Sequence, residues 1–174
     1  MGFAAEGTKD RMGKSIEEVI GEYGPALARV AASYEREPAL REELLQEIFM
    51  AIVPALQRLQ DPAKLKPFVF RIAHNRAVRH IQHRVREPES AAGADEIAED
   101  APSHEQALIA RERSEKLLEA VRDLTLPHRQ VITLLLEDLT YPEIAEVLGI
   151  SVANVGIRIN RAKEQLKEAL RHDR

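Results

Sequence analysis

The chain has 174 residues, a formal net charge of −4 and no cysteine, which excludes a disulfide framework and any thiolate metal site. Aromatic residues make up only 4% and no segment alternates convincingly like a strand, while Ala, Leu, Glu and Arg dominate, so we predict an all-α protein. No apolar run approaches the ~18 residues of a membrane span, and residues 1–14 lack the apolar core of a signal peptide, so we expect a cytoplasmic protein with a disordered N-terminal arm.

The first helices are predicted from capping and proline signals. Ser15, with Glu18 three residues later, has the pattern of a capping box and marks a helix start. We expect the Gly24-Pro25 pair to interrupt this helix. Pro38 predicts the start of a second long helix, and Pro54 is expected to kink it or end it near the preceding residue.

A third helix is predicted from about Lys64 or Pro67 to Arg86, and its second part is cationic. Residues 71–86 contain no acid, although the chain as a whole is acidic. Such a helix is suited to phosphate contacts, with an ordinary solvated helix face as the alternative. Its three histidines have no carboxylate nearby at ligand spacing, so we expect no metal site: His74, His80 and His83.

Residues 87–102 differ sharply in composition from the helices on either side. They contain proline, glycine, several alanines and the acids Glu87, Glu89, Asp95, Glu96, Glu99 and Asp100. Such a segment cannot bury enough apolar area to offset its chain entropy. We therefore predict a flexible acidic linker between two helical domains, residues 15–86 and residues 103–174.

The end of the second domain has the pattern of a helix-turn-helix. Pro142 suits a first helical turn, Gly149 supplies the positive φ of a sharp stop, and Ser151 is a good N-cap for the last helix. The last helix has one apolar stripe, and its cations lie largely off that stripe: Arg158, Arg161 and Lys163. This arrangement is typical of DNA-binding proteins, and an ordinary corner of a helical bundle is the alternative.

The order of these parts resembles the small, two-domain bacterial sigma factors of the extracytoplasmic-function (ECF) type. Three segments carry the resemblance in the correct order and separation: residues 43–49, residues 68–77, and residues 126–131 followed by 141–151. The resemblance implies a promoter-specificity subunit of RNA polymerase that is not itself an enzyme and needs no cofactor. It also implies core polymerase (β′ clamp helices and β flap), promoter DNA and an anti-sigma factor as partners of a chain that is monomeric when free.

The resemblance implies roles for particular residues of the first domain. Three polar residues within about one helical turn would dock on the β′ clamp helices: Glu43, Gln46 and Glu47. The third helix would melt the promoter and recognise the −10 element. There Phe68 and Phe70 would stack on unpaired bases, Asn75 would bond a base edge, and three arginines would follow the strand's backbone: Arg71, Arg76 and Arg79. A core position is the alternative for the phenylalanines.

In the second domain, the resemblance implies −35 contacts from the last helix: Ser151, Asn154, Arg158, Arg161 and Lys163. The start of this helix departs from the family, which usually has more polar or basic side chains than Val152, Ala153, Gly156 and Ile157. We therefore predict weak −35 readout in which phosphate contacts and DNA shape contribute more. The Trp often found in the family's melting segment is also absent, and Phe68 replaces it.

Two other classes of function fit the same residues. A sigma-like decoy would keep the surface that binds an anti-sigma factor but would have lost DNA recognition, and the apolar start of the last helix favours it. A stand-alone helix-turn-helix regulator would bind duplex DNA without polymerase, commonly as a symmetric dimer. A hydrolase or transferase is disfavoured, because the sequence has no Gly-rich phosphate loop and no nucleophile elbow.

Overall fold

The computed structural model describes residues 13–86 and 105–172, and the regular secondary structure of these residues is helical, without a strand. The helices are α1 (Ile16–Tyr34), α2 (Pro38–Leu56), α3 (Leu65–Arg86), α4 (Glu105–Asp123), α5 (Leu126–Leu136), α6 (Tyr141–Leu148) and α7 (Val152–His172), with a 3-10 turn at Pro62–Lys64. The predicted all-α class is confirmed. The predicted linker, residues 87–102, and nearly all of the predicted arm lie outside the described residues. None of the described helices is long and apolar enough to cross a bilayer.

Helix α1 begins as predicted but continues where we expected a break. Ser15 and Glu18 form the full capping box. The helix then runs unbroken through Pro25, so the expected interruption is wrong. Pro25 is exposed and removes a single backbone hydrogen bond, whereas Val19 and Leu27 on either side are each only 1% exposed. The packing of one continuous apolar face outweighs the cost of the backbone hydrogen bond that Pro25 removes.

Helix α2 begins at Pro38 as predicted and ends at Leu56, two residues beyond Pro54. Of the two predicted outcomes, an end near Val53 is therefore wrong, and a kink at this position stays a prediction. Pro54 is exposed in the last turn, while Leu56 is 1% exposed and packs in the core, so burial of Leu56 extends the helix past the proline. Asp61 then caps the 3-10 turn that leads into α3, accepting a hydrogen bond from the Ala63 N–H at 2.9 Å.

The predicted helix-turn-helix is present in α6 and α7. Thr140 and Glu143 form a second capping box at the start of α6. Gly149 ends α6 in the left-handed region with φ 66°, and the Ser151 hydroxyl accepts a hydrogen bond from the Asn154 N–H at 3.1 Å. The apolar stripe of α7 is buried at its first four positions: Val155, Ile159, Ala162 and Leu166. These contacts hold α7 across α5 and α6.

The N-terminal half (residues 13–86) and the C-terminal half (residues 105–172) pack against each other. Helix α1 contacts α4 and α5, and α3 contacts α6. Buried side chains from both halves belong to one continuous apolar cluster. The surfaces predicted to act separately on a promoter are thus close together in this structure.

Candidate functional site

The three predicted docking residues form an exposed polar face on α2. Glu43, Gln46 and Glu47 are all exposed, whereas Leu44 and Ile48, each next to one of the glutamates, are completely buried. The alternation follows from the helical period, which turns the apolar positions inward and the polar ones outward. The buried pair fixes the rotation of α2, so the two carboxylates and the amide are held on a rigid surface that a partner can reach.

The cationic helix α3 presents Arg71, Asn75 and Arg79 to solvent at intervals of four residues, which places them on one face. Arg76 is half-buried beside them. On this face the side chains of Asn75 and Arg79 form no hydrogen bond or ion pair with another described residue, whereas Arg71 is held by Glu146 of α6 through a hydrogen bond to its backbone carbonyl and an ion pair at 3.8 Å. The structure brings these predicted contact residues together as the sequence pattern indicates.

The two phenylalanines of α3 have different environments. Phe70 is 1% exposed and packs edge-on against Tyr23, with 6.2 Å between ring centroids. The predicted stacking of Phe70 on bases is therefore wrong for this structure, because both of its faces are covered by the core. Phe68 is half-buried at the edge of the core and keeps part of its ring accessible.

Two of the three histidines of α3 have structural partners. His74 is 4% exposed, its Nδ1 lies 3.1 Å from the Tyr34 hydroxyl, and burial lowers its pKa to about 4, so the ring is neutral near pH 7. His80 Nε2 lies 2.7 Å from Glu35 Oε2. Burial raises the pKa of the Glu35 carboxyl, but hydrogen bonds from His80 and Glu37 and the Arg84 charge outweigh it and keep the pKa below its ordinary value. Among the described residues, no group of acids and histidines could hold a metal ion.

The predicted −35 residues lie along the first half of α7. Asn154 Oδ1 accepts a hydrogen bond from Arg158 Nε at 3.1 Å, so these two side chains hold each other in place. Ser151 caps the helix, while Arg161 and Lys163 are exposed. The apolar side chains that depart from the family pattern also face solvent, with Val152 46% and Ile157 53% exposed.

A polar cleft of about 400 Å³ lies between α3 and the helix-turn-helix. One wall carries Asn75 and Arg79, and the other carries Arg158. Beside the cleft, Arg71 Nη2 donates a hydrogen bond to the backbone carbonyl of Glu146 at 2.9 Å. Residues predicted for the −10 contact and for the −35 contact therefore face each other across one narrow space.

Sequence reasoning missed the polar contacts that join the two halves. Arg29 donates two hydrogen bonds to Glu137, and Lys64 forms an ion pair with Glu146 at 2.9 Å. The paired residues are 108 and 82 positions apart, and a lone exposed charge in one helix does not predict its partner in another. Covariation between the two halves is the signal that could have found these pairs.

Two family models match the chain: Sigma-70 region 2 over residues 19–87 and Sigma-70, region 4, over residues 114–166, which together span more than half of it. The RNA polymerase sigma factor NccH of Alcaligenes xylosoxydans xylosoxydans is 28% identical over 176 residues, covering 96% of this chain and 90% of the relative. The ECF RNA polymerase sigma factor SigM of Bacillus subtilis is 27% identical over 158 residues, covering 88% and 93%. The sigma factor RpoE of Bartonella quintana, solved in complex with the anti-sigma factor NepR, has the same fold, with a TM-score of 0.72, 23% identity and coverage of 95% and 99%.

Proposed function

This chain belongs to the sigma-70 family, within its extracytoplasmic-function group, and from that premise we propose that it binds core RNA polymerase and directs promoter-specific initiation of transcription. The observation that carries the proposal is the presence of regions 2 and 4, in that order, on a chain with an acidic face, a cationic helix and a helix-turn-helix. The protein acts by selective binding rather than by catalysis of its own. Its place of action is the cytoplasm.

Polymerase docking is assigned to the exposed face of α2. Glu43 and Glu47 are one helical turn apart, with Gln46 between them on the exposed side. Carboxylates on a rigid helix complement basic groups on the β′ clamp helices, which favours fast and specific association. The C-terminal half makes the second contact, with the β flap.

Melting and −10 recognition are assigned to α3. Arg71, Arg76 and Arg79 neutralise backbone phosphates of the separated strand, and Asn75 bonds a base edge. The accessible part of Phe68 offers a stacking surface, while buried Phe70 packs in the core and holds the helix in place. The duplex opens because polymerase and sigma factor together bind the unpaired form more tightly than the paired one.

Contact with the −35 element is assigned to α7. Ser151 and the first-turn N–H groups hold a phosphate, Asn154 and Arg158 reach base edges, and two cations hold the backbone: Arg161 and Lys163. The exposed apolar side chains at the start of the helix leave few bidentate donors. Sequence readout at −35 is therefore weak, and phosphate contacts and DNA shape supply most of the affinity.

An anti-sigma factor is the proposed regulator, by analogy with the complex in which a protein of the same fold has been solved.

We propose that the chain is divided into two domains and a linker. Residues 15–86 form the docking and −10 domain, residues 87–102 the acidic linker, and residues 103–174 the −35 domain.

A sigma-like decoy is the second candidate, favoured by the exposure of Val152 and Ile157 where family members carry polar side chains. Run-off transcription with core polymerase separates the two functions, because a decoy gives no transcript.

The docking assignment is tested by the double charge reversal Glu43→Lys, Glu47→Lys, which should abolish core binding while helicity by circular dichroism is kept. Unchanged affinity for core polymerase would refute it. Glu112→Lys, on an exposed face of α4, is the matched control.

A further inference from the structure

The start of α7 presents an apolar surface to solvent. Ala153 and Ile157 are exposed and lie four residues apart, so they share one face of the helix. Val152, in the first turn, is 46% exposed, and Ile157 is 53% exposed. We call these three residues the apolar patch of α7. Its exposed area does not stabilise the fold, because only apolar area that is removed from water contributes to stability.

The packing of α7 fixes the direction in which the apolar patch faces. Val155 and Ile159 are completely buried, and Ile157 lies between them in the sequence. Because an α-helix turns by about 100° per residue, a step of two residues places a side chain on the opposite side of the helix. Ile157 therefore points away from the core. Further along, this outward side of the helix is polar, with Asn160 and Glu164 exposed, so the apolar patch is confined to the first two turns.

Cations border the apolar patch. Arg161 is exposed one turn beyond Ile157 on the same face, and Lys163 is exposed further along the helix. On one side of the patch, Arg158 Nε donates a hydrogen bond to Asn154 Oδ1 at 3.1 Å, which fixes both side chains. An apolar centre bordered by positive charge complements the major groove of DNA, where base edges lie between two phosphate backbones.

Gly156 leaves the backbone beside the apolar patch accessible. An added Cβ would lie 3.7 Å from the Tyr141 ring, which is an ordinary contact, so the fold does not require glycine at this position. Glycine instead lowers the stability of the helix relative to alanine. Its lack of a side chain lets a base pair approach the backbone closely between Val152 and Ile157.

We propose that the apolar patch recognises the C5 methyl groups of thymines in the −35 element. In the major groove, apolar side chains contact the thymine methyl group, which the other three unmodified bases lack. The first residues of a recognition helix are the ones that meet base edges. The inference rests on the proposed function and adds to it the chemistry of the bases that α7 distinguishes. Cytosine methylated at C5 carries the same group and should be accepted by the same side chains.

The inference is tested with holoenzyme made from core polymerase and the full chain. Templates with a randomised −35 element are selected for run-off transcription, and thymine should be enriched at one or more positions. Each selected thymine is then replaced by deoxyuridine, which removes only the methyl group. In a competition between the two templates, the affinity of the holoenzyme should fall about four-fold for each contacted thymine, because burial of one methyl-sized group contributes roughly this factor.

The variant Val152→Ser, Ile157→Ser removes the methyl-bearing side chains of the patch. Holoenzyme with this variant should bind the thymine and deoxyuridine templates equally. The matched control is Leu108→Ser, Leu136→Ser, which removes two apolar side chains that are 60% and 51% exposed on α4 and α5. This control should keep the four-fold preference. Far-ultraviolet circular dichroism verifies that each variant is folded.

A second pair of templates separates recognition of the methyl group from recognition of the hydrogen-bonding pattern of thymine. The contacted T·A pair is changed to C·G, and the cytosine is present either unmodified or as 5-methylcytosine. The parent holoenzyme should bind the methylated template about four-fold more tightly. The variant Val152→Ser, Ile157→Ser should bind both templates equally.

Three results would overturn the inference while the proposed function stands. The selected −35 elements could lack thymine, or the parent holoenzyme could bind thymine and deoxyuridine templates equally, in which case the apolar patch is left as a contact for a protein partner. The variant Val152→Ser, Ile157→Ser could also keep the full preference, since the methyl groups would then act through the shape of the DNA. Absence of a transcript from the parent chain on every template instead overturns the proposed function, and this inference with it.

Discussion

Replacing Arg29 by methionine should destabilise the protein through the carboxylate that it leaves behind. Glu137 is 6% exposed and receives two charge-assisted hydrogen bonds from the Arg29 guanidinium. Breaking a fully buried pair costs ~3–5 kcal/mol, because the remaining charge stays desolvated. The Arg29 side chain, however, is 62% exposed, so water screens the pair. A loss of about 1–3 kcal/mol is the expected result, the cost of leaving a buried hydrogen-bonding group without its partner.

Equilibrium urea unfolding of the parent chain, the two single variants and the double variant Arg29→Met, Glu137→Leu measures this loss. The double variant should recover part of the stability, because it removes the unpaired carboxylate, and the cycle should give a coupling energy of at least ~1 kcal/mol. A coupling within ~0.3 kcal/mol of zero would refute the reasoning, since it would mean that the two side chains do not interact across the halves. Arg111→Met, which breaks an exposed pair within α4, is the matched control and should cost less than about 0.5 kcal/mol.

Three further predictions follow from α3. Phe70→Ala should cost ~3–5 kcal/mol of unfolding free energy as a core truncation, whereas Phe68→Ala should cost less stability but slow open-complex formation; the opposite order would contradict the two assignments. The pKa of His74 is about 4 in the folded chain and ordinarily 6.5, so its contribution to stability is complete above pH 6.5 and is lost as the pH falls toward 4. Urea unfolding at pH 7.5 and pH 5 should differ by about 2 kcal/mol from this group, and His74→Gln should remove that difference. Arg76→Ala with Arg79→Ala should lower open-complex formation and reduce its salt slope by ~1.4, and an unchanged slope would mean that the helix face is merely solvated.

Short sequence signals correctly predicted the features that depend only on neighbouring residues, such as helix caps and turns. Ser15, Gly149 and Ser151 act through hydrogen bonds or backbone angles within a few residues, and all three behave as predicted. Pro25 and Pro54 do not break their helices, because the outcome depends on how well the flanking apolar residues pack. The residues next to a proline do not show how its helix packs against the rest of the protein, so they do not predict whether the helix continues.

The arrangement of the site required information that one sequence does not carry. Phe68 and Phe70 are alike in chemistry and lie two positions apart, yet only Phe70 is fully buried, since the rotation of α3 against α1 decides which ring is covered. The contacts of Glu137 and Glu146 join positions far apart in the chain. The exposed docking residues, by contrast, followed directly from the helical period of α2.

Run-off transcription with purified core polymerase tests the central claim most directly. The template should carry a promoter recovered by selecting DNA that is transcribed only when this chain is present. We predict a transcript of defined length that requires the chain and disappears with Glu43→Lys, Glu47→Lys. Stable binding to core polymerase without a transcript from any selected template would contradict the account and identify the chain as a decoy.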